Sequence, residues 1–283
     1  MNGSRKQLID PRIAEKIAFA GLWAVMVVVA VPVVGIIGYM LYRGAAALSW
    51  ELVSSVEAGL LPAIAGTAYL VSLTALVAAP IGVGAAIYLS EYARPGPLLR
   101  MIRLAIINLA GVPSVVYGLF GLAAFVILFG WDRCLLAGSC TLALLVLPLV
   151  ISASEEALRQ VPQGLREGSL ALGASKWQTI RRVVLPNALP GIITGMILSI
   201  ARAAGETAPI LFTAAFYSLS DPFPDSLLDP VIAMPYQLFV MATEEPDVEP
   251  ATMWATAFVL VALVLGLNLV ATVIRSRLRR RRW

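Results

Sequence analysis

Two charged residues, Arg202 and Glu206, lie four positions apart within a long apolar segment. A charge at the centre of a bilayer costs about 2.5–3.5 kcal/mol on insertion scales, so these residues need a physical reason to be there. In a helix this spacing places both side chains on one face, which must point into a helix bundle. The fork of the Arg202 guanidinium matches tetrahedral oxyanions well, and Glu206 would hold it in place. The alternative is a pair that satisfies only itself and locks helix packing.

The residues around this pair favour a narrow, polar and bendable segment. Pro209 cannot donate a hydrogen bond to the carbonyl of Gly205, so the sequence predicts a helix kink at Pro209. Thr207 adds a hydroxyl beside the charges. If the pair serves transport rather than helix packing, Arg202, Glu206 and Thr207 would line one solute pathway.

The composition is that of an integral membrane protein. Of 283 residues, 59% are hydrophobic and only 13% are charged, and the mean hydropathy is +0.86. Soluble domains carry about 25% charged residues. The chain has no histidine, which excludes histidine-based catalysis and removes the usual metal ligand, so neither a catalytic residue nor a metal site is predicted. An intramembrane enzyme is disfavoured, because Glu206 is the only acid expected deep within a span.

Six apolar segments are long enough to cross a bilayer as helices, which requires about 20 residues each. The first could also be a secretory signal, but its apolar run is much longer than that of a signal and no clean cleavage site follows. The sequence therefore predicts an all-α membrane protein with six transmembrane helices. Their approximate bounds are 17–42, 62–90, 104–129, a span that begins near 141, 191–216 and 251–273.

The third predicted span contains several small residues, including Gly111, Gly118 and Gly121. Small residues let helices approach closely in lipid, where van der Waals packing drives association. We therefore expect helix contacts at these glycines.

The distribution of basic residues predicts the orientation, because lysine and arginine concentrate in cytoplasmic segments. With six spans, the side that holds both termini contains all of the 21 basic residues except Arg43, Arg133 and Arg202. Both termini are therefore expected in the cytoplasm, and the acidic connection 217–250 outside. The arginine-rich tail, residues 274–283, would lie against anionic lipid headgroups, and a nucleic-acid site is disfavoured.

Cys134 and Cys140 are the only cysteines, and both fall on the predicted outer side. Their spacing differs from the C-x-x-C pattern of zinc and thioredoxin-like sites. In an oxidising periplasm they could form a disulfide that closes a small loop, and the sequence leaves this pairing and two free thiols equally open.

The amphipathic segment 161–192 carries charges and lies between two apolar spans. Gly173 suits the left-handed position just beyond the end of a first helix. Ser175 and Gln178 form a Ser-x-x-Gln capping box that begins a second helix. Pro186 and Pro190 are expected to end this second helix. The segment is therefore predicted to form two short helices joined by a sharp elbow.

The same segment resembles the EAA loop of ABC-importer permeases. Glu167 is followed by Gly173, then by Val183 and by the pair Leu185–Pro186, at the spacing of that motif. Gly168–Ser169 replaces the two alanines that follow the glutamate in the family, so the first turn departs from the pattern.

In that family the elbow is the coupling helix, which docks into a groove on a separate ATPase subunit. The alternative is an ordinary amphipathic cytoplasmic loop. The resemblance implies ATPase coupling for seven residues: Glu167, Ala171, Leu172, Gly173, Ala174, Leu185 and Pro186.

Three further stretches resemble the permeases of the phosphate-specific transport (Pst) family. They are ARAAGETAPILFTAAF at 201–216, NLAGVPSVVYGLFG at 108–121 and PIGVGAAIYLSEYA at 80–93. The GETAP form, with Ala-Pro after Thr, points to the PstA-type subunit and not to its PstC-type partner.

This resemblance implies a domain organisation. Residues 1–61 would hold the N-terminal segment, the first transmembrane helix and an outer connection. Residues 62–273 would form the five-helix core of a type I ABC importer permease (MetI-like), with the coupling loop at about 161–190. Residues 274–283 would form the basic cytoplasmic tail.

The resemblance also implies a function: a permease subunit of an ATP-driven importer that moves inorganic phosphate across the bacterial inner membrane by alternating access. Arg202 and Glu206 would be the positions implicated in phosphate passage. None of the three lysines follows a glycine-rich run, so the chain lacks a Walker A loop and is not expected to hydrolyse ATP. ATP and Mg would be used by a partner subunit, and no cofactor is expected on this chain.

The partners implied by the resemblance are a second, PstC-type permease, two copies of a cytosolic ATPase subunit and a periplasmic phosphate-binding protein. An importer permease for another oxyanion or small solute is the main alternative. A receptor or assembly factor is disfavoured, because it would not need an elbow with ATPase-docking spacing.

Overall fold

The computed structural model describes residues 11–56, 59–218, 220–245 and 247–280. Arg5 and Lys6 of the N-terminal segment and residues 281–283 of the predicted tail lie outside the described residues. The helices are α1 (Pro11–Ala47), α2 (Trp50–Ser54), α3 (Leu61–Ile87), α4 (Pro97–Ala110), α5 (Ser114–Gly121), α6 (Leu135–Arg159), α7 (Gln163–Ala171), α8 (Lys176–Thr179), α9 (Leu185–Ala204), α10 (Ala208–Thr213), α11 (Met234–Thr243) and α12 (Pro250–Arg280). Three π-helical segments occupy Tyr88–Tyr92, Leu122–Leu128 and Ile180–Val184, and two short strands, β1 (Ala215–Phe216) and β2 (Val231–Ile232), pair in parallel.

The prediction of six membrane spans is confirmed, with one change of form. Within the described residues, five helical segments are long and apolar enough to cross a membrane on their own, and α4 with the segment Ser114–Leu128 supplies a sixth as a bent pair. The two halves of that pair meet at 98°. The third predicted span, at about 104–129, is therefore a bent pair that begins earlier, at Pro97.

The bend in the third span has a local cause at Gly111–Pro113. Proline disfavours the helical conformation in the residue before it, so α4 ends at Ala110 and α5 restarts after Pro113. The hydroxyl of Tyr117 donates to the carbonyl of Leu109 at 2.9 Å, which fixes one arm of the bend to the other.

Helix α6 lies at the centre of the bundle, and 67% of the residues in its most apolar stretch are buried. It begins at Leu135, earlier than the predicted start near Thr141. One apolar cluster packs against its first turns, and a second packs near its last turn beside α3 and α9. Representative members are Leu70, Leu142 and Val231 in the first cluster and Ala86, Leu158 and Ile192 in the second.

Helix α1 lies outside this bundle, and no residue in its most apolar stretch is buried. It packs against α12, where the rings of Tyr39 and Trp254 meet edge to face at 5.5 Å. Most of its apolar side chains are exposed in the isolated chain, as a lipid-facing span requires.

The connection 217–250 is more structured than the sequence predicted. It supplies β2 and α11, and the backbone N–H of Met234 donates to the buried hydroxyl of Thr67 on α3 at 2.9 Å. Burial raises the pKa of Tyr217, and the nearby carboxylate of Glu245 raises it further. These elements were missed because their partners lie on distant parts of the chain.

Candidate functional site

The chain breaks between α9 and α10, beside the charged pair singled out in the sequence. Helix α9 ends at Ala204, and Pro209 lies in the first turn of α10. Pro209 cannot donate to the carbonyl of Gly205, and here the helix is interrupted between Ala204 and Ala208 rather than merely kinked. The predicted continuous fifth span to residue 216 and the predicted kink at Pro209 are both corrected by this break.

Arg202 lies in the last turn of α9, and its Nε donates to Oε1 of Glu206 at 3.3 Å. The side chain of Arg202 is 44% exposed and that of Glu206 is 17% exposed. The negative end of the α9 dipole favours a cation at this position, and the negative charge of Glu206 stabilises the guanidinium further. In the isolated chain Glu206 is therefore mostly shielded, whereas Arg202 reaches the surface.

Helix α5 packs directly against this break. A Cβ on Gly118 would lie 2.9 Å from the carbonyl oxygen of Ala208 and 3.1 Å from the Cα of Pro209. The expectation of helix contacts is confirmed at Gly118 and at Gly121, which packs against Thr141 of α6. It is wrong for Gly111, which lies at the bend in the third span.

Sequence reasoning missed Tyr117 as a neighbour of this site. Its ring is buried in an apolar cluster that also contains Ala203, the residue after Arg202. Its hydroxyl holds Leu109 across the bend, so one side chain contacts both the bent span and the end of α9. The hydroxyl sits within an apolar stretch, and no local pattern in the sequence indicates its partner.

The elbow has the predicted form. Gly173 follows α7 with a φ of +83°, in the left-handed region that favours glycine. The N–H of Gln178 donates to Oγ of Ser175 at 3.2 Å, and the N–H of Ser175 donates to Oε1 of Gln178 at 2.8 Å, which completes the capping box that begins α8. Both local predictions are confirmed.

The predicted end of the second elbow helix is wrong. Helix α8 continues through the π-helical segment Ile180–Val184 into α9, so residues 176–204 form one helical span. Pro186 lies in the first turn of α9, where its missing N–H costs little. The elbow is therefore joined by continuous helix to the segment that carries Arg202.

The tip of the elbow presents apolar side chains outward. Leu172 is 91% exposed, and Leu165, Leu170 and Trp177 are also exposed. Glu167, Ala171 and Gly173 lie on this exposed surface, while Ala174 is half-buried. Leu185 packs partly against the α3–α6–α9 cluster and Pro186 is exposed. Exposed leucines and a tryptophan at a turn are typical of a docking surface. The sequence analysis did not assign Trp177, although it follows the capping residue by two positions.

A second group of charges lies near the elbow end of the bundle. Glu155 is 8% exposed, and its carboxylate pairs with Arg103 of α4 at 2.6 Å and with Arg159 at 2.7 Å. Glu155 is thus a shielded acid in the last turns of α6, which continues as helix to Arg159. The Arg103–Glu155 pair joins α4 to α6, whereas Arg159 lies on the same helix as Glu155.

Cys134 and Cys140 are both free in the structure. Cys134 is the N-cap of α6, where its Sγ accepts from the N–H of Ala137 at 3.4 Å, and Cys140 lies within the same helix. Six residues of helix rise about 9 Å, beyond the roughly 7 Å Cα separation that a disulfide can bridge. A helix that begins at Leu135 therefore replaces the small loop that the disulfide would have closed.

Residues 78–281 match the family described as the inner membrane component of binding-protein-dependent transport systems. The match covers more than half of the chain, so the chain belongs to this family. It is a multi-pass membrane permease of an ABC importer, a class of protein that works with other subunits, and ATPase activity lies in a separate subunit.

Curated relatives are similar over nearly the whole chain. The phosphate transport system permease protein PstA 1 of Mycobacterium tuberculosis (strain CDC 1551 / Oshkosh) is 35% identical, over 96% of this chain and 91% of its own length. The probable ABC transporter permease protein YqgI of Bacillus subtilis (strain 168) is 32% identical, over 93% of this chain and 95% of its own length.

Solved structures with the same fold include the inward-facing MetNI methionine ABC transporter, with a TM-score of 0.62 and 19% identity, covering 77% of this chain and 95% of that one. A bacterial ABC transporter involved in alginate import has a TM-score of 0.65 and 13% identity, covering 94% of this chain and 99% of that one. These similarities confirm the MetI-like permease fold.

Proposed function

We propose that this chain is the PstA-type permease subunit of an ATP-driven importer that moves inorganic phosphate across the bacterial inner membrane. The observation that carries the proposal is the Arg202–Glu206 pair at a helix break, within a chain whose curated relatives include PstA proteins at 35% identity over most of its length. A guanidinium offers five N–H donors, and the bond to Glu206 uses one of them. Donors therefore remain for the oxygens of an anion.

The exposure of Arg202 supports a role at an interface or route rather than in a closed core. Facing lipid would cost a charge about 2.5–3.5 kcal/mol at the bilayer centre. The half-exposed guanidinium is therefore expected to face a water-filled route between this subunit and a second, PstC-type permease. Glu206 would fix the orientation of the fork, and Thr207 would add a hydroxyl to the same route.

The elbow end of the bundle is proposed to lie in the cytoplasm, together with both termini. Arginines lie at that end in α4, α6, α7 and the segment before α9, as the positive-inside rule requires. The connection 217–250, with its acidic residues, would face the periplasm and a phosphate-binding protein. The basic end of α12 would lie against anionic lipid headgroups.

The exposed apolar tip around Leu172 is proposed to dock on a cytosolic ATPase, two copies of which would serve the two permeases. ATP and Mg would be bound by that partner, and no cofactor is assigned to this chain. Closure of the ATPase pair would move α7 and α8, and the continuous helix from α8 to α9 would tilt. The break beside Arg202 would then open alternately to the two sides of the membrane.

The proposal is tested by uptake of ³²P-labelled phosphate at low external concentration in cells that lack this chain and in cells complemented with it. Restored uptake that excess unlabelled phosphate suppresses, and excess sulfate does not, is the expected result. Equal suppression by sulfate or by an organic solute would favour the alternative importer. Complementation without any phosphate uptake would overturn the assignment of phosphate.

A further inference from the structure

The end of α3 makes contacts that the function described so far does not use. After Ile87 the chain continues for one π-helical turn, Tyr88–Tyr92, which we call the π turn. Within it, Oε1 of Glu91 pairs with Nη2 of Arg166 on α7 at 2.9 Å. The two side chains are 10% and 16% exposed, respectively. A charge pair this shielded from water is less screened than a surface pair, and removing one partner leaves the other poorly solvated.

Arg166 also holds the end of α6. Its Nη2 donates to the carbonyl of Leu158 at 2.7 Å, and its Nη1 donates to the carbonyl of Val161. The last carbonyls of a helix lack the usual intrahelical partners, and an arginine here adds a charged donor to them; the carbonyl of Leu158 also accepts from the N–H of Val161 at 3.3 Å. One side chain of the elbow therefore ties α7 to both α6 and the π turn.

The next residue of the π turn contacts the other arm of the elbow. Nζ of Lys176, the first residue of α8, lies 5.0 Å from the ring centroid of Tyr92, within the range of a cation–π interaction. The carbonyl of Leu89 accepts from Nη2 of Arg103 on α4 at 3.2 Å. The π turn is thus in contact with α7, α8 and α4.

We propose that the π turn is a second coupling contact, through which the elbow moves α3 together with α9. Glu91 and Arg166 are positioning residues in this contact, and Tyr92 with Lys176 supports it. The continuous helix from α8 already connects the elbow to α9. Without the Glu91–Arg166 pair, the elbow could turn about the π-helical segment Ile180–Val184 and leave α3 in place. Local π-helical geometry occurs frequently at functional sites, and here it directs Glu91 towards the elbow.

This inference rests on the proposed function, so the assembled complex with its ATPase and binding protein is the material for the test. Phosphate uptake and ATP hydrolysis are measured together in proteoliposomes, and their ratio is compared among variants. For Glu91→Gln and Arg166→Gln we expect the phosphate moved per ATP to fall by about fivefold, a typical size for a lost coupling interaction. Arg166→Lys, which keeps the charge, should retain more of the ratio than Arg166→Gln.

Glu156→Gln is the matched control, because Glu156 is an exposed acid at the same end of the bundle that bonds Gln160 on its own helix. It should leave the ratio unchanged. An unchanged ratio in Glu91→Gln would overturn the proposal. A second result would also overturn it: phosphate uptake and ATP hydrolysis both fall by the same factor, and the subunits dissociate. That result would show that the pair has a merely structural role.

A second readout does not depend on the solute. Spin labels are placed at Ser72→Cys on α3 and Ser175→Cys on the elbow, both exposed positions, with Cys134 and Cys140 replaced by serine. The distance between the labels should stay constant on ATP binding when Glu91 is present and should change in Glu91→Gln. An equal change in both proteins would contradict the proposal even if the transported solute proved not to be phosphate. Failure of the phosphate assignment would instead appear in the unmodified complex, as ATP hydrolysis without phosphate uptake.

Discussion

The Nε of Arg202 donates to Oε1 of Glu206 at 3.3 Å, across the point where α9 stops and the chain turns towards α10. One member of the pair lies inside the last turn of a helix and the other lies just beyond it. The pair therefore depends on the break: a small rotation of α10 against α9 would change how the guanidinium is held. This arrangement suits a group that must meet an anion in one state and release it in another.

Arg202→Gln should reduce phosphate uptake by about tenfold or more, because a hydrogen bond to a charged group contributes about 1.5–3 kcal/mol. The assembled complex should remain intact. The double variant Arg202→Gln/Glu206→Gln distinguishes the two interpretations of the pair. If the pair only locks packing, the uncharged double variant should recover uptake; if Arg202 meets the anion, uptake should stay low. Arg43→Gln, on α1, where the guanidinium bonds Tyr39 of the same helix, is the control and should transport normally.

Gly118→Ala should disturb the break from the side of α5. The added methyl group would meet the carbonyl of Ala208 at 2.9 Å and the Cα of Pro209 at 3.1 Å, so backbone must move. Overpacking of this kind costs about 1–3 kcal/mol, and we expect a lower melting temperature and reduced uptake. Gly84→Ala has nothing within 4 Å of the new atom and should be neutral or slightly stabilising. Equal behaviour of the two variants would show that the contact at Gly118 is unimportant.

Gly173→Asp should abolish uptake while membrane insertion survives. The φ of +83° favours glycine at this position, and the added carboxylate would stand on the exposed tip and disturb its fit to a partner. Gly164→Asp adds the same charge in the first turn of α7, where no positive φ is required. It should keep most of the uptake. A similar loss in both variants would assign the effect to charge and not to the turn.

Both cysteines should be free thiols. Maleimide labelling of the denatured, unreduced protein should add two labels, detected by intact mass. Labelling that requires a reductant would show that Cys134 and Cys140 pair in the cell, and the helix could not then begin at Leu135 as it does here.

The orientation is tested by labelling single cysteines in a background without Cys134 and Cys140. A cysteine at the exposed Ser175 should react only with a reagent that enters the cytoplasm. A cysteine at the exposed Ser220 should react with an impermeant reagent from outside. The reverse pattern would exclude contact between the elbow and a cytosolic ATPase.

The sequence alone determined the class of protein and the local shape of the elbow. Low charge and long apolar runs require burial in lipid, and this needs no knowledge of partners. The left-handed Gly173 and the Ser175–Gln178 box were predictable because each is formed within a few residues of chain. The position of Arg202 and Glu206 on neighbouring turns followed from their spacing for the same reason.

Only the tertiary structure decided which groups meet across the chain. Glu91 and Arg166 are 75 positions apart, and Tyr117 lies far from Ala203 in sequence, so no local pattern could pair them. The bend at Pro113 and the break before Pro209 were visible as prolines, but packing decided that one became a 98° turn and the other an interruption. Local signals fix the conformation of short segments, whereas long-range pairing depends on how apolar faces fit together, which the order of residues alone does not display.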